Sequence, residues 1–256
     1  MIRHSVSRWC FGSTPLDELC KKCLQFGITG LDLLKLDEIP IAQANGMACS
    51  ITAAHPDEHG IGEIEKGFNN PDFHPALHRI YETLIPAAAG LGVKQVICFS
   101  GNREGLSEAE GLENCAQGLA PLIPLAQEHG ITLVMELLNS KVDHPDYQCD
   151  HTAWGAALCE RVGSDHLKLL YDIYHMQIME GDVIRTIQTY HQHISHYHTA
   201  GVPGRHEFDE SQELNYPPIA QAIAATGFDG YIGQEYVPST KDAFEFLPKA
   251  VALCSA

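Results

Sequence analysis

No apolar stretch in this 256-residue sequence is long enough to cross a membrane. The greasiest segment, LIPAAAGLGV, is short and broken by Pro86, Gly90 and Gly92. The opening MIRHSVSRWC lacks the apolar run of a secretion signal, so the expectation is a cytoplasmic protein with no membrane partner. Positive charge is also scarce. Sixteen Lys and Arg stand against 33 Asp and Glu, a formal net charge of −17, and such a surface repels phosphate backbones. Nucleic acid is therefore not expected as a partner. No glycine fingerprint for a dinucleotide follows the first strand candidate, where the chain reads SRWCFGST, and there is no Walker loop. The nine cysteines are odd in number and scattered, which suits a reducing cytosol better than a disulfide framework. Cys20 and Cys23 of CKKC share a helical stripe with Leu16, Leu19 and Leu24 and are read as core rather than as a redox pair.

What the chain does have is a rhythm. Short β-like runs alternate with amphipathic helices: HSVS (4–7), GLDLL (30–34), ACSIT (48–52), QVICFS (95–100), ITLVME (131–136), LKLLYD (167–172), ISHYHT (194–199) and GYIGQE (230–235). Several are nearly continuous apolar runs, as expected of strands covered on both faces. Thr14 with Pro15 and Asp17 signals a helix start and Gly27 a stop, and IPIAQANG supplies a short second helix. Ser107 with Glu110 reads as a capping box, Pro121 and Pro124 predict a break, and Ser239 with Asp242 predicts the start of the last helix. Residues 53–73, rich in His, Gly, Asn and Pro, read as a long active-site loop. Eight strand–helix units in 256 residues predict an α/β fold, a single (β/α)8 TIM barrel spanning 1–256. An open doubly wound sheet is the alternative.

A barrel puts its chemistry at the C-terminal ends of its strands. Strands five to eight end at Glu136, Asp172, His198 and Glu235, each able to bind a metal. Period-two alternation points Thr132, Val134 and Glu136 to one side, and Lys168, Leu170 and Asp172 likewise, so these acids crown the interior. Asp172 at the end of a buried run is costly unless neutralised, and a divalent cation shared with Glu136 and Glu235 would neutralise it. Without metal the carboxylates repel, and one or two should take up protons. Three oxygens and one nitrogen suit Mg²⁺ or Mn²⁺, with Co²⁺ also compatible, and the lack of thiolates argues against structural zinc.

Among the histidines, His191 and His193 fall at a helix C-terminus and read as structural. His196 and His198 share a strand face, with His198 nearer the active end and His196 the fallback ligand. His175, just beyond Asp172, is placed to donate to a substrate oxygen. Met176 and Met179 read as packing, and His55 and His59 lie in the long loop and are not counted among the site residues, although either could reach substrate. Arg205 emerges from GVPGRHE as a bidentate partner for a substrate carboxylate or vicinal oxygens, unless it pairs with Glu207 or Asp209.

The segments MELLN (135–139), YDIYH (171–175), HYHTAGVPGRHE (196–207), LNYPPI (214–219) and GYIGQEY (230–236) together resemble the xylose-isomerase-like barrels, in particular the hydroxypyruvate isomerases and the ketose 3-epimerases. The resemblance runs essentially end to end. It implies that Glu136, Asp172, His198 and Glu235 hold one divalent metal, that Glu136 and Glu235 form the catalytic acid/base pair, and that His175 and Arg205 hold the substrate. It has departures. The ketose 3-epimerases carry a further glutamate six residues after the first catalytic one, where this chain has Val142. The segment KVDHPDYQCDHTAWG fits neither pattern.

The implied function is isomerisation of a small hydroxy-carbonyl compound through a metal-stabilised enediolate, with hydroxypyruvate to tartronate semialdehyde first in line. A ketose 3-epimerase or other sugar isomerase is the alternative. A non-catalytic sugar- or metal-binding barrel and an abasic-site endonuclease are more distant. The partner is a small molecule, and self-association into a homo-oligomer stays open.

Overall fold

The structure, a computed structural model, describes residues 2–255. Eight strands run β1 Arg3–Ser7, β2 Gly30–Asp32, β3 Ala48–Ala53, β4 Gln95–Cys98, β5 Thr132–Leu137, β6 Leu167–Asp172, β7 Ile194–Thr199 and β8 Tyr231–Gln234. Each pairs in parallel with its neighbours, and β1 closes on β8, giving a closed barrel in sequence order. Closure leaves no open sheet edge. The ten α-helices are α1 Leu16–Gln25, α2 Ile39–Ala44, α3 His74–Gly90, α4 Glu108–Leu119, α5 Ile123–His129, α6 Thr152–Val162, α7 Ile173–Met179, α8 Val183–Tyr190, α9 Tyr216–Ala225 and α10 Leu247–Cys254. This is the (β/α)8 architecture expected from the alternation.

Local signals explain most boundaries. Ser107 and Glu110 form the reciprocal capping box that starts α4, and Pro121 and Pro124 divide α4 from α5 through a 3₁₀ turn. Cys20 and Cys23 are buried on α1 as free thiols, packed into the core as their stripe predicts. Several boundaries differ from expectation, β4 ending at Cys98 rather than Ser100 and β8 at Gln234 rather than Glu235. The N-cap of α1 is Pro15, not Thr14. β2 ends at Asp32, because Leu33 turns into the left-handed region at φ 61° after a last bond from its N–H to Ile51 O at 2.8 Å. Ser239 and Asp242 do not start a helix: Ser239 donates to Glu207, Asp242 accepts from the Phe244 N–H, and α10 begins only at Leu247.

The apolar core has two compartments. Between barrel and helices, Leu133, Met135 and Leu137 of β5 and Leu167, Leu169 and Tyr171 of β6 point outward. Inside the barrel, Ile51, Ile97, Val134 and Leu170 form a small closed layer. The alternation that sends Val134 and Leu170 inward sends Glu136 and Asp172 inward two residues later. Removing a side chain from that inner layer should be expensive, since rigid strands cannot collapse around the hole. Leu170→Ala should cost about 2–5 kcal/mol. In urea denaturation this should lower the midpoint at an unchanged m-value, and an unchanged midpoint would show that the layer is slack.

Candidate metal centre and active site

The inward residues at the C-terminal ends of β5 to β8 meet. Glu136, Asp172, His198 and Glu235 are all buried, and each offers a ligand atom within 4.8 Å of the others'. Glu235 follows the last residue of β8 and is fixed by its backbone N–H, which donates to Thr199 O at 3.0 Å. Asp172 ends β6 and serves two purposes. Its Oδ1 caps α7 by accepting from the Tyr174 N–H at 2.8 Å and the His175 N–H at 3.4 Å. Its Oδ2 faces the site, 3.3 Å from Arg205 Nη2 and 3.5 Å from His175 Nε2. The acid at the end of an apolar run is thus helix cap and site oxygen together.

His198 is the inward imidazole of β7. Its Nδ1 lies 2.9 Å from Glu235 Oε2 and 3.7 Å from Glu136 Oε1, aligned for a hydrogen bond with neither. Its Nε2 lies 3.1 Å from Asp32 Oδ2 at the end of β2. His196 does not enter the four-donor group. Its Nε2 lies 2.8 Å from the same Asp32 oxygen. Ser50 donates to Asp32 Oδ1. A carboxylate behind an imidazole fixes which ring nitrogen carries the proton and turns the other toward a metal. Asp32 therefore belongs to the site, although the sequence drew no attention to it beyond its strand. The geometry also requires Gly233: a Cβ there would overlap Asp32 Oδ2 and lie 2.8 Å from the His198 ring.

Arg205 reaches in from the loop after β7. Its backbone takes the left-handed region at φ 59°, its N–H donates to Gly201 O at 2.9 Å, and its carbonyl accepts from Val237 N at 2.7 Å. The pairings with Glu207 and Asp209 are absent, since Ser239 engages Glu207 and Ser211 engages Asp209. Instead Nη2 donates to Glu235 Oε2 at 2.6 Å, while Nε is buried with no partner. The guanidinium sits 5.3 Å from the ring centroids of both Trp9 and Tyr174. Trp9 Nε1 and Ser7 Oγ each donate to Glu235 Oε1 at 2.9 Å. Trp9 and Ser7 are further residues that the sequence did not flag.

His175 is fully buried. Its Nδ1 accepts from the Asn139 backbone N–H at 3.2 Å, which leaves Nε2 to carry the proton, and Nε2 has no hydrogen-bond partner. Burial, reinforced by Arg205, holds its pKa well below the usual value, so the ring is a neutral donor. His144, from the segment that fits neither pattern, sets its ring tilted against that of His175, the centroids 5.4 Å apart. His55 and His59 are exposed and join neither group. His191 and His193 end a helical segment away from the donors, and Met176 and Met179 are buried in the core, as read.

The electrostatics favour proton uptake at one carboxylate, Asp172. Burial raises the Asp172 carboxyl to about 7, with Glu235 adding to the rise and Arg205 opposing it. Burial works against charge on His198, but Glu235 and the hydrogen bond to Asp32 outweigh it and lift its pKa well above the usual range. Glu235 goes the other way: burial would raise it, and His198 and Arg205 pull it well below. Four buried donors, three of them carboxylates and one an imidazole oriented by a carboxylate, fit a hard divalent cation.

The barrel topology and this inward donor set define a class, the TIM barrels with a candidate metal centre at the strand ends. A sequence model of the xylose isomerase-like TIM barrel matches residues 39–250, and the chain belongs to that family. A human protein named "Putative hydroxypyruvate isomerase" is 36% identical over 239 residues, covering 90% of this chain and 77% of that protein. The "2-oxo-tetronate isomerase" of Cupriavidus necator is 40% identical over 122 residues, so the match spans 48% of this chain and only 46% of that enzyme. A crystal structure titled AP endonuclease, family 2, from Brucella melitensis superposes over the full length of both chains with a TM-score of 0.87 at 25% identity.

Because raised pKa values favour protons on Asp172 and His198 that a cation must displace, metal binding should release protons. Both pKa values are raised, so affinity for Mn²⁺ should fall as pH drops below about 7 and climb as pH rises through it. Calorimetry in two buffers of different ionisation enthalpy would count the protons. Occupancy should approach about one ion per chain and drop sharply in Asp172→Asn. Unchanged binding by that variant would remove Asp172 from the ligand set.

Proposed function

We propose that this chain is a divalent-metal-dependent isomerase of small 2-oxo acids bearing a hydroxyl on the neighbouring carbon, hydroxypyruvate being the smallest. The observation that carries this reading is a buried four-donor group flanked by two buried, unpartnered N–H donors, His175 Nε2 and Arg205 Nε. The isomerase names of the relatives support it. So does Val142, which is 64% exposed and stands where the ketose 3-epimerases carry a further glutamate. Mg²⁺ or Mn²⁺ is the proposed metal, and the net charge of −17 disfavours phosphate-rich partners. The nine free thiols fit a reducing compartment such as the cytosol.

A cation held by Glu136, Asp172, His198 and Glu235 would supply Lewis acidity at the substrate's carbonyl and hydroxyl oxygens. The chain's own groups do the rest. Arg205 grips the carboxylate, and the aromatic faces of Trp9 and Tyr174 hold the guanidinium in place. Neutral His175 donates Nε2–H to a substrate oxygen. Glu136 and Glu235 approach from walls three strands apart and form the acid/base pair. One carboxylate takes the proton from the hydroxyl-bearing carbon, and the electron pair moves to the carbonyl oxygen to give an enediolate. Return of a proton to the former carbonyl carbon, with the hydroxyl proton passing to the former carbonyl oxygen, gives the aldehyde isomer. Glu235 is gripped by Ser7, Trp9 and Arg205, whereas among the described residues no hydrogen bond reaches the Glu136 carboxylate, whose Oε1 lies 3.7 Å from His198 Nδ1, which leaves Glu136 freer to carry the proton.

The test is deuterium incorporation from D₂O next to the carbonyl of hydroxypyruvate, with saturating Mn²⁺. Wild type should exchange. Glu136→Gln and Glu235→Gln, each keeping an oxygen donor, should lose on the order of 10²-fold or more, and near-normal turnover would remove that glutamate from the mechanism. Arg205→Lys should lose about 1.5–3 kcal/mol, roughly 10- to 150-fold in kcat/KM, and more on a carboxylate than on a neutral ketose of similar size. Equal losses on both substrates would refute the carboxylate clamp.

A further inference from the structure

A cleft of about 470 Å³ is walled by the loop after β3, the end of β4 and the loop after β5. Ala54, Ile64 and Phe99 give it an apolar floor, and Glu63, Glu65 and His144 supply polar groups. Two contacts join it to the site. Phe99 rests on the apolar layer inside the barrel, and the His144 ring lies 5.4 Å from that of His175.

The walls are fixed. The 53–73 loop is tied to the end of β4 by Phe68 N to Phe99 O at 3.1 Å, Asn69 N to Ser100 O at 2.7 Å and Asn102 N to Glu65 O at 2.9 Å. Gly67 packs so closely on this stretch that a Cβ would lie 2.5 Å from Gly101 N. His144 is held from both sides, its N–H on Asn139 O and its carbonyl on Tyr147 N, each at 3.1 Å. Arg103 secures the same loop through Asp150 at 2.7 Å.

A volume of 470 Å³ equals roughly 16 waters at about 30 Å³ each. It lies within the range of sites that enclose whole ligands. A three-carbon acid, its head already engaged at the donors and Arg205, has nothing left to place there. The lining is selective as well. An apolar floor suits the C–H face of a polyol, while carboxylate and imidazole groups suit its hydroxyls. Glu63 and Glu65 would repel a second anion.

We propose that this cleft is the distal subsite of the active site, taking the neutral, hydroxylated tail of an unphosphorylated five- or six-carbon sugar acid, with His144 as the specificity-determining residue at the junction. The proposal rests on the 2-oxo acid head assigned above and adds the remainder of the molecule.

Calorimetric binding to the Mn²⁺-loaded protein tests it with three unreactive hydroxy acids: glycerate, gluconate and 6-phosphogluconate. Gluconate should bind at least about tenfold more tightly than glycerate, and 6-phosphogluconate more weakly than gluconate. Ile64→Trp, which fills the cleft, and His144→Ala should each shrink the gluconate-to-glycerate ratio at least about fivefold. Equal affinities in wild type, a ratio that survives Ile64→Trp, or a preference for the phosphorylated acid would each overturn the proposal. The deuterium assay on hydroxypyruvate separates the two readings. Exchange without a tail preference sinks the subsite alone, whereas a tail preference without exchange leaves the subsite standing and sinks the isomerase chemistry.

Discussion

The structure is organised around negative charge crowded out of water. Glu136, Asp172 and Glu235 converge at one end of the barrel with a fourth carboxylate, Asp32, behind them, and all four are nearly inaccessible. Buried carboxylates survive only when paired, protonated or bound to metal. Each neighbouring residue answers that constraint. Ser7 and Trp9 give hydrogen bonds to Glu235, Arg205 adds a formal positive charge between Glu235 and Asp172, and the N-terminus of α7 takes one oxygen of Asp172. Even the identities of the two histidines on β7 follow, since each ring donates toward Asp32.

The same constraint explains what could be read from one dimension. Strands β6 and β7 end where the sequence said, because a long apolar run meeting Asp172, or an alternating His-x-His, marks both the strand and its inward face. The convergence of the four candidate donors was legible because a barrel places every strand end on one rim. β2 and β8 were read too long at residues whose fate is set by neighbours: Leu33 turns left-handed, and Glu235, one residue past the strand, faces the rim. The last helix was placed early because Ser239 spends its hydroxyl on Glu207 instead of capping.

What the sequence hid is the layer supporting the donors. Asp32 lies 164 positions from His196, and Ser7 lies 228 from Glu235, so no local period links them. Trp9 is 46% exposed and reads as surface until its indole is found on a buried carboxylate. His144 sits in a segment without a familiar pattern, and only the loop's backbone bonds and Arg103 bring it to His175. These roles arise from closure of the barrel, which turns residues at opposite ends of the chain into neighbours.

Gly233 carries a consequence beyond this chain. Its missing side chain is the room in which Asp32 and His198 meet, so the acid on β2 and the glycine on β8 can only be exchanged together. Anyone transplanting this centre onto another barrel would have to move six strands' worth of residues, β1 and β2 included, rather than the four that end in donors. A graft limited to those four donors would leave the imidazole free to turn the wrong nitrogen inward. Natural barrels that keep the four donors but carry a larger residue at the glycine position should have abandoned the acid on β2 as well, which makes that pair of positions a marker for descent of the centre as a unit.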